Sequence, residues 1–328
     1  MLIDLTPEIL RLRHLVNLNF RHPFPSSTAL LDLIASNPHL ETIVLSVRSM
    51  GKAVPRPDGA VAIPRLRSLT FDFYSPLPLF HKFSIPRGAS VRFSPWVDPE
   101  ECEVILPDSL EHLKNLSEVK SLYVQRRSEY WIKASGPSGE VRFEGNSNPA
   151  PELQRLPLQI VEKFRYAEIG EPGESIGKNK DPVWLYEVFD RLENLQTLVI
   201  DSCGLTPIKH IFLLLSSRLG PAPSRRKMVP CPSLSTIILE VPRDGSWNDW
   251  VVPFLQMLRD REAAGSRLKK FRIVCDPQIQ IPRRGEERSQ MAKLVPWVEV
   301  KYFWYKSNGV INERRVKELF EWYDDEGF

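Results

Sequence analysis

Apolar residues recur at positions n, n+3 and n+5 of short segments along the whole chain, with polar residues between the last two. Leu66-Arg67-Ser68-Leu69-Thr70-Phe71 shows the pattern, as do Leu195-Gln196-Thr197-Leu198-Val199-Ile200 and Leu234-Ser235-Thr236-Ile237-Ile238-Leu239. Alternation between n+3 and n+5 is the period of a strand with one buried face. Ten copies follow the template, with these apolar positions: Leu15/Leu18/Phe20, Leu40/Ile43/Leu45, Leu66/Leu69/Phe71, Val91/Phe93 with Gly88 at n, and Val119/Leu122/Val124. Val161/Phe164/Tyr166, Leu195/Leu198/Ile200, Leu234/Ile237/Leu239, Leu268/Phe271/Ile273 and Val295/Val298/Val300 complete the series.

The n+3 residues step from 18 to 43 to 69, intervals of 25 and 26 residues. A leucine-rich repeat spans about 20–29 residues, each repeat supplying one strand to a parallel sheet. The later steps, 164 to 198 to 237, are longer and predict inserted segments. Between the copies, Thr28–Ala35 reads as a short helix. Asp181-Pro182 opens a helix over Val183–Leu192, and Thr206-Pro207 opens one over Ile208–Ser217, with Pro in the first turn. Asn248–Glu262 is amphipathic, apolar at Val251, Val252, Leu255 and Leu258.

Two stretches interrupt the repeat. Trp131–Ala134 and Glu140–Phe143 flank Ser135-Gly136-Pro137-Ser138-Gly139 and predict a hairpin within an insertion over about residues 125–150. Gly170–Lys180 and Pro221–Pro232 read as loops. Asn312–Asp325 reads as a helix, with Val316, Leu319 and Phe320 on one face, that closes the end of the repeat core. The expected architecture is one α/β leucine-rich-repeat solenoid over residues 1–328, a horseshoe with irregular repeats, short convex-side helices and a hairpin insertion.

Composition narrows the function classes. The net charge of +3 is small for 328 residues, so no global attraction to nucleic acid or membrane is expected. Cys102, Cys203, Cys231 and Cys275 stand far apart with no C-x-x-C pair, which predicts neither a zinc site nor a disulfide framework and favours an intracellular compartment, cytoplasmic or nuclear. No signal-peptide pattern opens the chain, and the longest apolar run, Ile211–Leu215, is too short to span a bilayer. The chain lacks G-x-S-x-G, G-x-x-x-x-G-K-[ST] and H-E-x-x-H. Gly170, Gly173, Gly177 and Lys178 have the wrong spacing for a phosphate loop.

His14, His22, His39, His81, His112 and His210 are scattered singly, which fits packing or surface roles better than metal ligation. Arg225-Arg226-Lys227 fits a solvated loop better than an import signal, and Trp247 and Trp250 read as residues packing a helix start. No catalytic residue, cofactor or metal site is predicted.

The candidate site is the row of residues between the buried strand positions, which a solenoid turns toward its concave surface. It comprises Asp72, Tyr123, Gln125, Lys163, Arg165, Asp201, Glu240, Lys270, Arg272, Glu299 and Lys301. Mixed charge beside an aromatic ring suits a protein partner. Lys163, Arg165, Lys270, Arg272 and Lys301 bias the C-terminal half toward an acidic peptide.

The copy at Leu195 continues through Asp201-Ser202-Cys203-Gly204-Leu205, and the whole run resembles the cysteine-containing subtype of leucine-rich repeat. With the irregular repeat lengths and the phrases Leu106-Pro107-Asp108-Ser109-Leu110 and Ser135–Val141, it is similar to the F-box and leucine-rich-repeat-like families of mushroom-forming fungi. The resemblance covers most of the chain and implies non-catalytic recognition of a substrate for a cullin-based ubiquitin ligase. Such a receptor docks the ligase adaptor through a helical F-box ahead of the repeats. Here the first copy starts at Leu15, and Leu5-Thr6-Pro7-Glu8-Ile9-Leu10 is only faintly similar to the opening of a box. The expectation is therefore a chain whose box lies upstream or was lost, with adaptor contact only in the former case. The alternative is a free-standing scaffold with no ubiquitin step.

Overall fold

The computed structural model describes residues 11–20, 27–46, 60–72, 80–94, 105–126, 130–146, 149–168, 184–202, 205–216, 229–241, 247–275 and 285–302. The chain is a mixed α/β protein in two compact units, Met1–Ile160 and Val161–Phe328. The expected helix at Asn312–Asp325, the loop at Gly170–Lys180, Arg225-Arg226-Lys227, Cys102, Cys203 and His22 lie outside the described residues.

In the first unit the main strands are β1 (Asn17–Phe20), β2 (Thr42–Leu45), β4 (Ser68–Phe71), β6 (Ala89–Phe93), β7 (Ser121–Arg126), β8 (Tyr130–Gly136) and β9 (Gly139–Asn146). Their order across the sheet is β1-β2-β4-β6-β9-β8-β7. All neighbours are parallel except at β8, which runs against both β7 and β9. The predicted hairpin exists, but its return strand β9 sits inside the main sheet beside β6. Two short strands, β3 (Val61–Ala62) and β5 (Phe83–Ser84), form a separate parallel pair. Helix α1 (Ser27–Ala35) buries Leu30, Leu31, Leu33 and Ile34, and a short helix α2 (Ala150–Arg155) ends the unit.

The second unit carries β10 (Lys163–Glu168), β11 (Thr197–Ser202), β12 (Thr236–Glu240), β13 (Lys270–Cys275) and β14 (Trp297–Tyr302), each parallel to the next. Between them come α3 (Trp184–Arg191), α4 (Leu205–Leu215), α5 (Trp247–Ala263) and α6 (Glu286–Leu294). Helices α3 and α5 pack on the leucine-bearing face. Phe189 meets Phe164 at 5.8 Å, and Phe254 stacks on Phe271 at 4.1 Å. Trp250 is buried, as its place at the helix start predicted, whereas Val252, counted on the apolar stripe, is exposed. Helices α2 and α6 were not anticipated.

Register explains why these segments pair. Between parallel neighbours each n+3 residue stands beside the next strand's n+3 residue, and each n+5 beside n+5: Ile43 beside Leu69 and Leu69 beside Val91, Leu198 beside Ile237 and Ile237 beside Phe271. A one-residue slip would turn the apolar set to the opposite face, so burial fixes the ladder. Backbone bonds repeat with the same period. Glu41 O, Glu162 O, Gln196 O and Ser235 O each accept the two N–H groups that open the following strand. Before several strands, the n residue donates to the carbonyl three residues back: Leu40 to Asn37, Leu66 to Ile63, Leu195 to Leu192 and Leu234 to Cys231. Strand β9 joins this system through Phe143, which stacks on Phe93 at 5.3 Å, as Phe93 stacks on Phe71 at 5.1 Å.

Candidate recognition face

Residues n+2, n+4 and n+6 project from the sheet face opposite the aromatic and leucine core. In the first unit they form a grid over β6, β9, β8 and β7. One row aligns Ser90, Glu140, Ser135 and Ser121, and the next aligns Arg92, Arg142, Lys133 and Tyr123. Ser94, Glu144, Trp131 and Gln125 lie one step further along their strands. Trp131, opposite Gln125, is among the exposed large hydrophobic residues.

Three cations thus stand side by side on adjacent strands, an arrangement that is unfavourable without counter-charges. Glu144 takes Arg92 at 2.8 Å and the Ser94 hydroxyl at 3.1 Å, and its other oxygen lies 3.9 Å from Arg142. Glu140 accepts the Ser90 hydroxyl at 2.8 Å and faces Lys133 at 3.1 Å. Burial pushes the Glu140 pKa up, but the Ser90 hydrogen bond, Lys133 and Arg142 together bring it below the ordinary carboxylate value. Among the described residues Arg142 has no acceptor within hydrogen-bonding distance, and it keeps about a third of its side chain in solvent.

The second unit repeats the geometry with different chemistry. Lys163, Thr197, Thr236, Lys270 and Trp297 align in one row, Arg165, Val199, Ile238, Arg272 and Glu299 in the next, and Ala167, Asp201, Glu240, Val274 and Lys301 in the third. Arg165 bonds Asp201 at 2.8 Å, and Arg272 bonds Glu299 at 2.7 Å, with Lys301 3.7 Å from the same carboxylate. Burial raises the Glu299 pKa, yet the Arg272 bond and the charges of Arg272, Lys301 and Lys270 hold it below its ordinary value. Lys270 lies over the Trp297 ring, 5.2 Å from its centroid. The middle row, however, is buried at Val199, Ile238 and Arg272.

The residues marked from the sequence therefore divide between two separate units. Asp72 is exposed and accepts the Ser46 hydroxyl at 3.4 Å. Tyr123 donates its hydroxyl to Gln125 at 2.7 Å, and Gln125 is buried. Lys163, Arg165, Asp201, Lys270, Glu299 and Lys301 are partly exposed, whereas Glu240 and Arg272 are buried. Arg92, Lys133, Glu140, Arg142, Glu144 and Trp131 were missed, although the same alternation around Val91/Phe93 and along the hairpin places them on this face.

The remaining candidates have local roles. Among the described residues no group of three or more His, Cys, Asp or Glu side chains is arranged to hold a metal ion. His14 and His39 stack at 6.2 Å, and His210 meets Tyr186 edge-on at 6.0 Å. Buried Cys231 bonds the Phe189 carbonyl at 3.3 Å, and burial pushes its thiol up to about 12. Among the described residues no helix is long and apolar enough to cross a membrane. No protein-family model, curated protein or solved structure matches this chain.

Proposed function

We propose that this chain is a leucine-rich-repeat recognition protein that binds a protein partner through the polar face of its strand ladder and performs no chemistry of its own. The observation that supports the reading is the grid over β6, β9, β8 and β7. It places Arg92, Arg142, Trp131 and Tyr123 on one face, in register. Arginine, tryptophan and tyrosine are the residues that most often dominate protein interfaces. The repeat identity is supported by the shared n+3/n+5 register and the recurring bonds before and at each strand start. Within this reading the substrate-receptor role in a ubiquitin ligase is the specific form, and a free-standing scaffold is the other.

The test is affinity purification from the source organism's lysate, using the chain and its Arg92→Glu/Lys133→Glu/Arg142→Glu variant, with partners identified by mass spectrometry. A partner retained by the parent and lost by a folded variant is expected. Identical partner sets would sink the reading. Adaptor and cullin among the retained proteins would identify a ligase receptor; specific partners without them would identify a scaffold.

A further inference from the structure

We infer that the grid over β6, β9, β8 and β7 docks an extended acidic segment of its partner, one carboxylate seating on Arg142 and an apolar side chain two residues away covering Trp131. This rests on the recognition reading above and names the chemistry of the occupant. Three cations meet two carboxylates here. Arg92 and Lys133 each have a carboxylate within 3.1 Å, while among the described residues the nearest carboxylate oxygen to Arg142 is at 3.9 Å. Arg142 also stands directly between Arg92 on one strand and Lys133 on the other. Like charges placed opposite one another destabilise a sheet. One further carboxylate would complete the alternation of charge and give Arg142 its missing acceptor.

The spacing defines the second element. Trp131 lies two residues along β8 from Lys133 and one strand away from β9. With strands about 4.8 Å apart and a rise of about 3.4 Å per residue, Arg142 and Trp131 are roughly 8 Å apart. Side chains i and i+2 of an extended peptide project from one face at nearly that separation, about 7 Å. A nucleic acid fits less well. Glu140 and Glu144 interleave with the cations, whereas a phosphate backbone is bound by runs of uninterrupted positive charge.

The experiment pans a random twelve-residue phage-displayed peptide library on the immobilised full chain. The enriched peptide is then synthesised and its binding measured by fluorescence anisotropy against the parent, Arg142→Glu, Arg142→Gln and Trp131→Ala, each checked for an unchanged melting temperature. The expected consensus carries Asp or Glu two residues from an aromatic or branched apolar residue. Arg142→Glu should weaken binding by about tenfold or more, and exchanging the peptide's acid for Lys should restore it. Where Arg142→Glu fails to fold, Arg142→Gln carries the test with a smaller loss. A basic or neutral consensus, indifference to Arg142, or displacement by a single-stranded oligonucleotide at lower concentration would overturn the inference. Peptides that depend on Lys163 and Lys301 would overturn it while leaving recognition intact. No enriched peptide, together with lysate partners indifferent to the triple charge reversal, would remove both.

Discussion

Arg261 is fully enclosed in the second unit, and replacing it separates two opposing effects. Its guanidinium donates to the carbonyls of Pro230 at 2.8 Å and Cys231 at 2.9 Å, with a longer bond to Leu234 at 3.4 Å. Those three carbonyls belong to the turn that delivers Leu234 into β12. Cys231 in that turn has φ 49°, a left-handed conformation that a non-glycine residue holds only when its surroundings enforce it. Two good hydrogen bonds from a charged donor are worth about 3–6 kcal/mol together. Against them, burial depresses the Arg261 pKa to about 10 from 12.5, a penalty on the cation of roughly 3 kcal/mol.

Arg261→Met keeps the stem and most of the volume, so the cavity contribution is small. The difference between the two effects is about 0–3 kcal/mol, and the Pro230 and Cys231 carbonyls left without this donor put the expected loss at about 1–3 kcal/mol, with Arg261→Lys in between because one ammonium reaches fewer carbonyls. Because the chain has two compact units, a single global melting curve mixes their transitions. The suitable assay is hydrogen exchange, read on peptides covering Val229–Val241. Protection there should fall by about 5- to 150-fold, while peptides from β2 and β4 stay unchanged. An Arg261→Met chain with equal or greater protection would refute the reasoning, because desolvation would then outweigh the carbonyl bonds.

Gly136→Ala would drive a methyl group into the Glu118 carbonyl oxygen. Backbone on both sides prevents relaxation, so hairpin stability should fall by about 1–3 kcal/mol, seen as early exchange of β8 and β9 amides; unchanged exchange would count against the close approach. Acid should weaken the same region. Glu140 has its folded pKa below 4.5, so its stabilisation is complete above that value and is lost as pH falls through the lower folded value. Hydrogen-exchange protection of β8 and β9 should therefore drop on acidification below about pH 4.5 less steeply in Glu140→Gln than in the parent, and coincident acid limbs would exclude Glu140 as the cause.

The strand ladder was legible because burial on one face forces a period of two that sequence displays directly. All ten copies are strands or lead into one. What escaped the template was polar substitution at its first position. Strand β9 is preceded by Ser138, with Val141 and Phe143 at n+3 and n+5, so it is a further copy with serine at n. Ser138 is buried there because its hydroxyl accepts the Glu118 N–H at 3.0 Å and donates to the Asn115 carbonyl at 3.0 Å. Read as a polar turn residue, it hid the fact that the hairpin enters the main sheet. The buried residue at n−3 is supplied by Asn37, Ile63, Leu192 and Cys231, and at Asn37 it was invisible for a similar reason. Asparagine reads as surface, yet Asn37 is wholly enclosed and bonds Leu12, Leu15 and Leu33. Helix α6 buries Met291 while leaving most of its remaining residues exposed or half-exposed, so its sequence carries little of the 3.6 period.

The site was less legible than the fold because alternation tells which side of a sheet a residue faces, not whether that side is open. Arg272 and Glu240 have the parity of surface residues and are buried, beside Val199 and Ile238 in the second unit's rows. On β4, β6 and β9 of the first unit the corresponding positions are hydroxyl or charged, and Arg92, Arg142 and Trp131 keep substantial exposure. The ladder is fixed by n, n+3 and n+5, so the intervening positions vary without disturbing the fold. That freedom gives substitutions on the two faces different physical meanings. Reversing Arg272 leaves Glu299 without its closest hydrogen-bonding partner and a new carboxylate enclosed, which acts on folding. Reversing Arg142 replaces a cation that is about one-third exposed, has no close acceptor among the described residues and stands between two like charges, so the change falls on the solvent side of the sheet. The proposed binding is therefore best tested in the first unit, where loss of a partner and loss of the fold would come apart.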